Sequence, residues 1–160
     1  MTSILIVEDE SIVGLDIHKR LLRMGYDVSA VVASGEAAVA SAREIPPGLV
    51  LMDIHIQGDM DGVETAAHIR RQMDVPIVFL TAYSDENTLE RAKATEPYAY
   101  VLKPFKDREL NTTIEIALYR FSIERELQQA RDQLEMRVEE RTAELARVNA
   151  ELTDQIEQRQ

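Results

Sequence analysis

Ile4-Leu5-Ile6-Val7-Glu8-Asp9-Glu10 is the stretch on which the reading of the fold turns. Four branched apolar residues in an unbroken run suit a strand covered on both faces, and acids follow it at once. Leu49-Val50-Leu51-Met52 leads into Asp53 in the same way, Ile77-Val78-Phe79-Leu80 leads into Thr81, and Tyr100-Val101-Leu102 leads into Lys103. Val28–Ala33 is a fifth apolar run. Helical patterns lie between the runs. The first carries Ile12, Leu15, Leu21, Leu22 and Met24 and is stopped by Gly25. Ser34 can cap a second over about 35–45, which Pro46-Pro47-Gly48 ends. A third spans about 63–72 and a fourth about 86–94. Lys103-Pro104 turns into a last one, with Asp107 in its first turn where a negative charge is favourable. Strand and helix repeated five times predict an α/β fold, a doubly wound five-stranded parallel sheet with helices on both faces. Ligands of such sheets bind beyond the carboxyl ends of the strands, where these polar residues stand.

The chain has 160 residues, 45% apolar and 29% charged, which is one globular domain with something appended. Cysteine is absent, so disulfides, thiolate metal sites and a cysteine nucleophile are excluded. A net charge of −11 opposes binding to nucleic acid or anionic lipid. Neither a membrane-spanning run nor a signal peptide is evident, so the chain reads as cytoplasmic. Every glycine and proline lies at or before Pro104, and the last aromatic residue is Phe121. Residues 122–160 hold ten acids and six bases, against nineteen and twelve before them. The composition changes there while the sign of the charge does not. This places a domain at 1–121 and a helical extension at 122–160.

A nucleotide-binding turn after the first strand would carry glycines, whereas Glu8-Asp9-Glu10 repels an anion unless a cation intervenes. Glu8, Asp9 and Asp53 form a hard-oxygen set suited to Mg²⁺. Lys103 offers a positive charge and Thr81 a hydroxyl donor. Together they fit phosphoryl transfer onto a carboxylate, with Asp53 as nucleophile. Singly, each has a plainer reading. Glu10 and Asp9 suit helix caps or first-turn acids, Lys103 a solvated charge, and Thr81 simple strand preference. Convergence of four strand ends favours the functional reading. His18 and His68 read as solvated or partly packed helix residues, and the side chain of His55 as solvent-facing.

These motifs, with Met60-Asp61-Gly62 and Lys103-Pro104-Phe105, make residues 3–120 resemble the receiver domain of two-component response regulators. The resemblance implies a flavodoxin-like strand order 2-1-3-4-5 and phosphorylation of Asp53 by a histidine kinase or phosphotransfer protein. It implies Mg²⁺ held by Glu8, Asp9, Asp53 and the backbone carbonyl of His55, a lysine partner in Lys103, and a cis bond before Pro104. Thr81 and Tyr100 are then the switch pair, moving the face of helix four, strand five and helix five. A receiver of this kind catalyses only its own phosphorylation and dephosphorylation. Three departures stand out. The loop Ile56-Gln57-Gly58-Asp59-Met60-Asp61-Gly62 lacks the usual proline and is one residue longer than the common form. The first acid is Glu8 where Asp is common. Glu96-Pro97-Tyr98-Ala99 replaces the Gly-Ala often found before strand five. His55 and Tyr83 stand where the family tunes phosphoryl hydrolysis.

Residues 106–160 could form one helix of about 55 residues, roughly 80 Å long. A stripe of apolar or small residues runs along it through Ile123, Leu127, Ala130, Leu134, Val138, Leu145, Val148, Leu152 and Ile156, interrupted at Arg141. Nine steps cover 33 residues, a mean near 3.67, which is an eleven-residue rhythm or a heptad rhythm with stutters. The eight large apolar positions, from Ile123 and Leu127 to Leu152 and Ile156, suit the seam of a parallel two-stranded coiled coil and thus a homodimer. The segment is similar to the linker helices of sensor kinases and related signalling proteins. Continuity of the pattern through Leu110, Ile114, Leu118 and Phe121 into Ile123 suggests that phosphorylation is relayed along the helix, to an output domain not contained in this chain. One rival is a pseudo-receiver scaffold that dimerises without taking phosphate. Another, an aspartyl-phosphate phosphatase, needs a second carboxylate two residues after the nucleophile, where His55 stands.

Overall fold

The structure, a computed structural model, describes residues 1–82, 86–94 and 97–159, apart from the side chains of residues 86, 88 and 89. Among these residues five strands, β1 (Ser3–Val7), β2 (Asp27–Val32), β3 (Leu49–Asp53), β4 (Ile77–Ala82) and β5 (Ala99–Lys103), alternate with five helices. The helices are α1 (Ser11–Arg23), α2 (Gly35–Glu44), α3 (Gly62–Gln72), α4 (Glu86–Ala94) and α5 (Asp107–Gln158). All strand pairs are parallel, in the order β2-β1-β3-β4-β5, as the resemblance implies. No helix among the described residues is long and apolar enough to cross a membrane.

Alternation along the central strands divides the core into two layers. Leu5, Val7, Val50, Met52, Ile77 and Phe79 meet Ala38 and Ala42 of α2 and Val63, Ala66 and Ile69 of α3 on one face. Their neighbours Ile4, Ile6, Leu49, Leu51, Val78 and Leu80 meet Ile17 and Leu21 of α1 and Leu110, Ile114 and Ala117 of α5 on the other. A strand buried on both sides has no polar face, which explains the unbroken apolar runs.

The strands outrun the apolar runs that betray them. Asp53 pairs in register with Leu80, Thr81 with Leu102, and Ala82 with Lys103. Asp53, Thr81 and Lys103 are therefore rungs of the ladder and not residues of the loops beyond it. A polar side chain hides the strand's end from a reading based on hydrophobicity, but the backbone goes on pairing.

Ser34 caps α2 as its position suggests, its Oγ accepting from the amide of Ala37 at 3.2 Å. Glu10 occupies the N-cap position of α1, but its side chain caps nothing. Its amide instead donates to Glu8 Oε1 at 3.0 Å. The long loop before α3 folds back on the turn before α2: the amide of Gln57 donates to the Ala33 carbonyl at 3.2 Å. Gly58 turns there with φ +102°, and a side chain on it would run into the carboxylate of Glu36.

The chain divides into two compact units, Met1–Phe121 and Ser122–Gln160. In the first, Phe121 meets the ring of Tyr98 edge-on at 5.7 Å, and Arg120 donates to the Tyr98 carbonyl at 2.9 Å. Leu110 and Ile114 are fully buried, and Leu118 and Phe121 pack against the same core. Those four pack within the first unit. The second unit is helical, and its described residues are all exposed.

Candidate functional site

Three strand ends meet around one ammonium group. Lys103, at the end of β5, places Nζ 2.7 Å from Glu8 Oε2 and 2.7 Å from Asp53 Oδ2. Both acids are buried, with 2% of Glu8 and 6% of Asp53 exposed. Two buried carboxylates side by side repel each other, and the lysine between them offsets that repulsion. Burial by itself would lower the Lys103 pKa, but the hydrogen bonds and charges of Asp53 and Glu8 outweigh it and hold the pKa raised.

The remaining oxygens are tied to the backbone just beyond the strands. Asp53 Oδ1 accepts from the amide of His55 at 3.1 Å, and Glu8 Oε1 from that of Glu10. Asp9 completes the acidic group: one oxygen each from Glu8, Asp9 and Asp53 lie within 4.8 Å of one another. Three carboxylate oxygens so gathered match the donor chemistry of a hard divalent cation. His55 is exposed, His18 is half-buried in α1 and His68 is exposed on α3.

Thr81 is buried, and its hydroxyl donates to the Ala82 carbonyl at 3.2 Å. Tyr100 stacks on Phe79 with ring centroids 6.2 Å apart. Its buried hydroxyl has no hydrogen-bond partner among the described residues, and burial raises its pKa. Tyr83 and Glu96 lie outside the described residues.

The floor of the site is set by backbone packing. Gly62 opens α3 against the main chain of Asp53 and Ile54, where a β-carbon would come within 2.7 Å of Ile54 Cα. The Lys103–Pro104 peptide bond is cis. The turn after it is held by Arg20, which donates to the Phe105 carbonyl at 3.3 Å, pairs with Asp107 at 3.0 Å and lies over the Phe105 ring. Asp107 is thus more than a first-turn acid, a role invisible without its distant partner.

Residues 4–115 match the family described as response regulator receiver domain. The chain belongs to that family. The transcriptional regulatory protein PdtaR of Mycobacterium tuberculosis is 36% identical over 118 residues, which is 74% of this chain and 57% of that protein. The phyllosphere-induced regulator PhyR of Methylorubrum extorquens is 30% identical over 119 residues, 74% of this chain and 44% of its own. The receiver chain thus spans about half the length of the curated relatives it matches. Among solved structures, the signal receiver domain of a modulated diguanylate cyclase from Desulfovibrio desulfuricans is 37% identical, with a TM-score of 0.74 over 78% of this chain and 98% of that one. Receiver domains bind Mg²⁺ at an acidic pocket, and Glu8, Asp9 and Asp53 supply such a pocket here.

Proposed function

We propose that this receiver is a phosphoacceptor, with Asp53 taking a phosphoryl group from a histidine kinase or phosphotransfer protein. The observation that carries the reading is Lys103 held at 2.7 Å from both Asp53 and Glu8. Such an ammonium is already in place to neutralise charge at an acyl phosphate. Glu8, Asp9, Asp53 and the backbone carbonyl of His55 are the residues we assign to Mg²⁺. When bound, the cation supplies positive charge against the phosphoryl oxygens, which the acids alone would repel.

In the transfer, a carboxylate oxygen of Asp53 attacks phosphorus. A P–O bond forms as the P–N bond to the donor imidazole breaks, and the bonding pair returns to that nitrogen. Lys103 follows the negative charge onto the new group. Thr81 exchanges the Ala82 carbonyl for a phosphoryl oxygen, and Tyr100 answers the movement, changing the surface of α4, β5 and α5. Catalysis by this chain is limited to the gain and loss of its own phosphoryl group.

The second unit we assign to self-association. Ile123, Leu127, Leu134, Val138, Leu145, Val148, Leu152 and Ile156 are exposed on the helix, between 39% and 64% each. A second copy, paired in parallel as a coiled coil, would cover them. Phosphorylation would then pass along the helix to an output domain.

Labelling by a small acyl phosphate in the presence and absence of Mg²⁺ tests the reading. The native chain takes label only with Mg²⁺, and Asp53→Asn takes none. Equal labelling of the two chains moves the chemistry away from Asp53. An unlabelled native chain leaves the scaffold reading in its place.

A further inference from the structure

Asp61 stands between the loop that follows Asp53 and the helix that follows Thr81. Its backbone is fixed from several directions. The amide donates to Glu64 Oε2 at 3.0 Å, and the carbonyl accepts from the amide of Thr65 at 3.0 Å and from its hydroxyl at 2.7 Å. The carboxylate is divided between two tasks. Oδ1 caps α3 by accepting from the Glu64 amide at 2.9 Å, while Oδ2 faces Nη2 of Arg91, on α4, at 2.9 Å. The next residue, Gly62, packs on the Asp53 carbonyl and donates to the Ile54 carbonyl at 2.8 Å. Asp61 is thereby held to the first turn of α3, and its neighbour Gly62 to the chain just beyond β3, so the cap does not readily follow a movement of α4.

Two described side chains fasten α4 to the rest of the unit: Ala92, fully buried in the core, and Arg91 through this ion pair. β4, which carries Thr81, ends at Ala82, and α4 begins at Glu86. A rearrangement at Thr81 that displaces α4 works against the charge pair between Arg91 and the α3 cap.

We propose that Arg91 and Asp61 form a clasp that restrains α4, and that Arg91 is thereby a positioning residue for the reaction at Asp53. The inference rests on the phosphoacceptor reading for its functional half only. The clasp stabilises the arrangement without a phosphoryl group, so opening it favours the rearranged state and speeds labelling. The pair is half-exposed, which limits the effect to about two- to five-fold.

The test uses Asp61→Asn, which keeps an N-cap oxygen while deleting the charge, together with Arg91→Gln and the double variant. Acyl-phosphate labelling with Mg²⁺ rises about two- to five-fold in each single variant, and the double variant rises no further. Hydrogen exchange of the amides of α4 quickens by a similar factor in all three, while that of α3 amides stays unchanged. Multiplying effects in the double variant, or unchanged exchange in α4, overturn the clasp. Faster exchange in α4 in a chain whose Asp53→Asn variant still takes label keeps the clasp and removes the phosphoacceptor reading instead. Quickened exchange in α3 assigns the effect to a lost cap and overturns the proposal.

Discussion

In the unit Met1–Phe121, Leu5, Ile6, Met52 and Phe79 have no exposed surface, whereas every described residue of Ser122–Gln160 is exposed. The first unit is shaped by what it buries, and its polar site stands at the ends of strands that line that interior. The second is ordered by local helical preference and by pairs such as Arg141 with Glu144 at 3.1 Å, each worth only a fraction of a kcal/mol. A helix in that condition has an unsettled account with water along one stripe. Changes in the two regions should therefore separate cleanly, one affecting folding and chemistry, the other association.

The largest separation is expected from Leu134→Asp combined with Leu145→Asp. Two leucines lost from each of two helices, at about 1.5–3 kcal/mol apiece, should weaken self-association at least 100-fold. Sedimentation at tens of micromolar should show the mass halved, with the melting of the first unit moved by less than about 0.5 kcal/mol. A native chain that is already monomeric breaks the comparison. Next is Gly62→Ala. A β-carbon pressed into the main chain of Asp53 and Ile54 should cost about 1–3 kcal/mol in denaturant unfolding and reduce labelling, with association unchanged. Loss of association in this variant would show the two regions to be energetically coupled.

The smallest effect is a pH dependence. The raised folded pKa of Lys103 means that its charge stabilises the fold fully below 10.5, the ordinary lysine value, and that this contribution fades as pH climbs through the folded value. Tyr26 and Tyr100 also have raised pKa values, so the informative quantity is the stability of the native chain minus that of Lys103→Met. That difference should be level from about pH 7 to about pH 10 and shrink above it, as read by denaturant titration. A difference that grows in the alkaline range would contradict the bridging role of the ammonium.

The elements were legible because each central strand is an apolar run bounded by Gly, Pro or a charge, and each helix has a one-sided period. The gathering of Glu8, Asp9 and Asp53 was legible because a carboxylate directly after a buried strand has few structural reasons to be there. Strand ends were not, since Asp53, Thr81 and Lys103 interrupt the hydrophobic pattern while their backbones keep pairing. The pairs Arg20–Asp107 and Arg91–Asp61 join distant parts of the chain, and no local period announces either. One signal was there to be read: Asp61-Gly62-Val63-Glu64, an acid three residues before a glutamate at a helix start, is the pattern of a capping box. Leu110, Ile114, Leu118 and Phe121 mark a further limit: a helical period alone cannot say whether its apolar side meets a sheet or a second chain, and here it meets the sheet.

Because Asp53 is braced against β4, and Thr81 against β5, the two residues share one cross-linked plank of backbone. On the phosphoacceptor reading proposed above, a phosphoryl group arriving there meets paired backbone that resists bending. Whatever gives way has to be lighter than the plank itself: a hydroxyl that swivels, a ring that tips, or a helix resting on top.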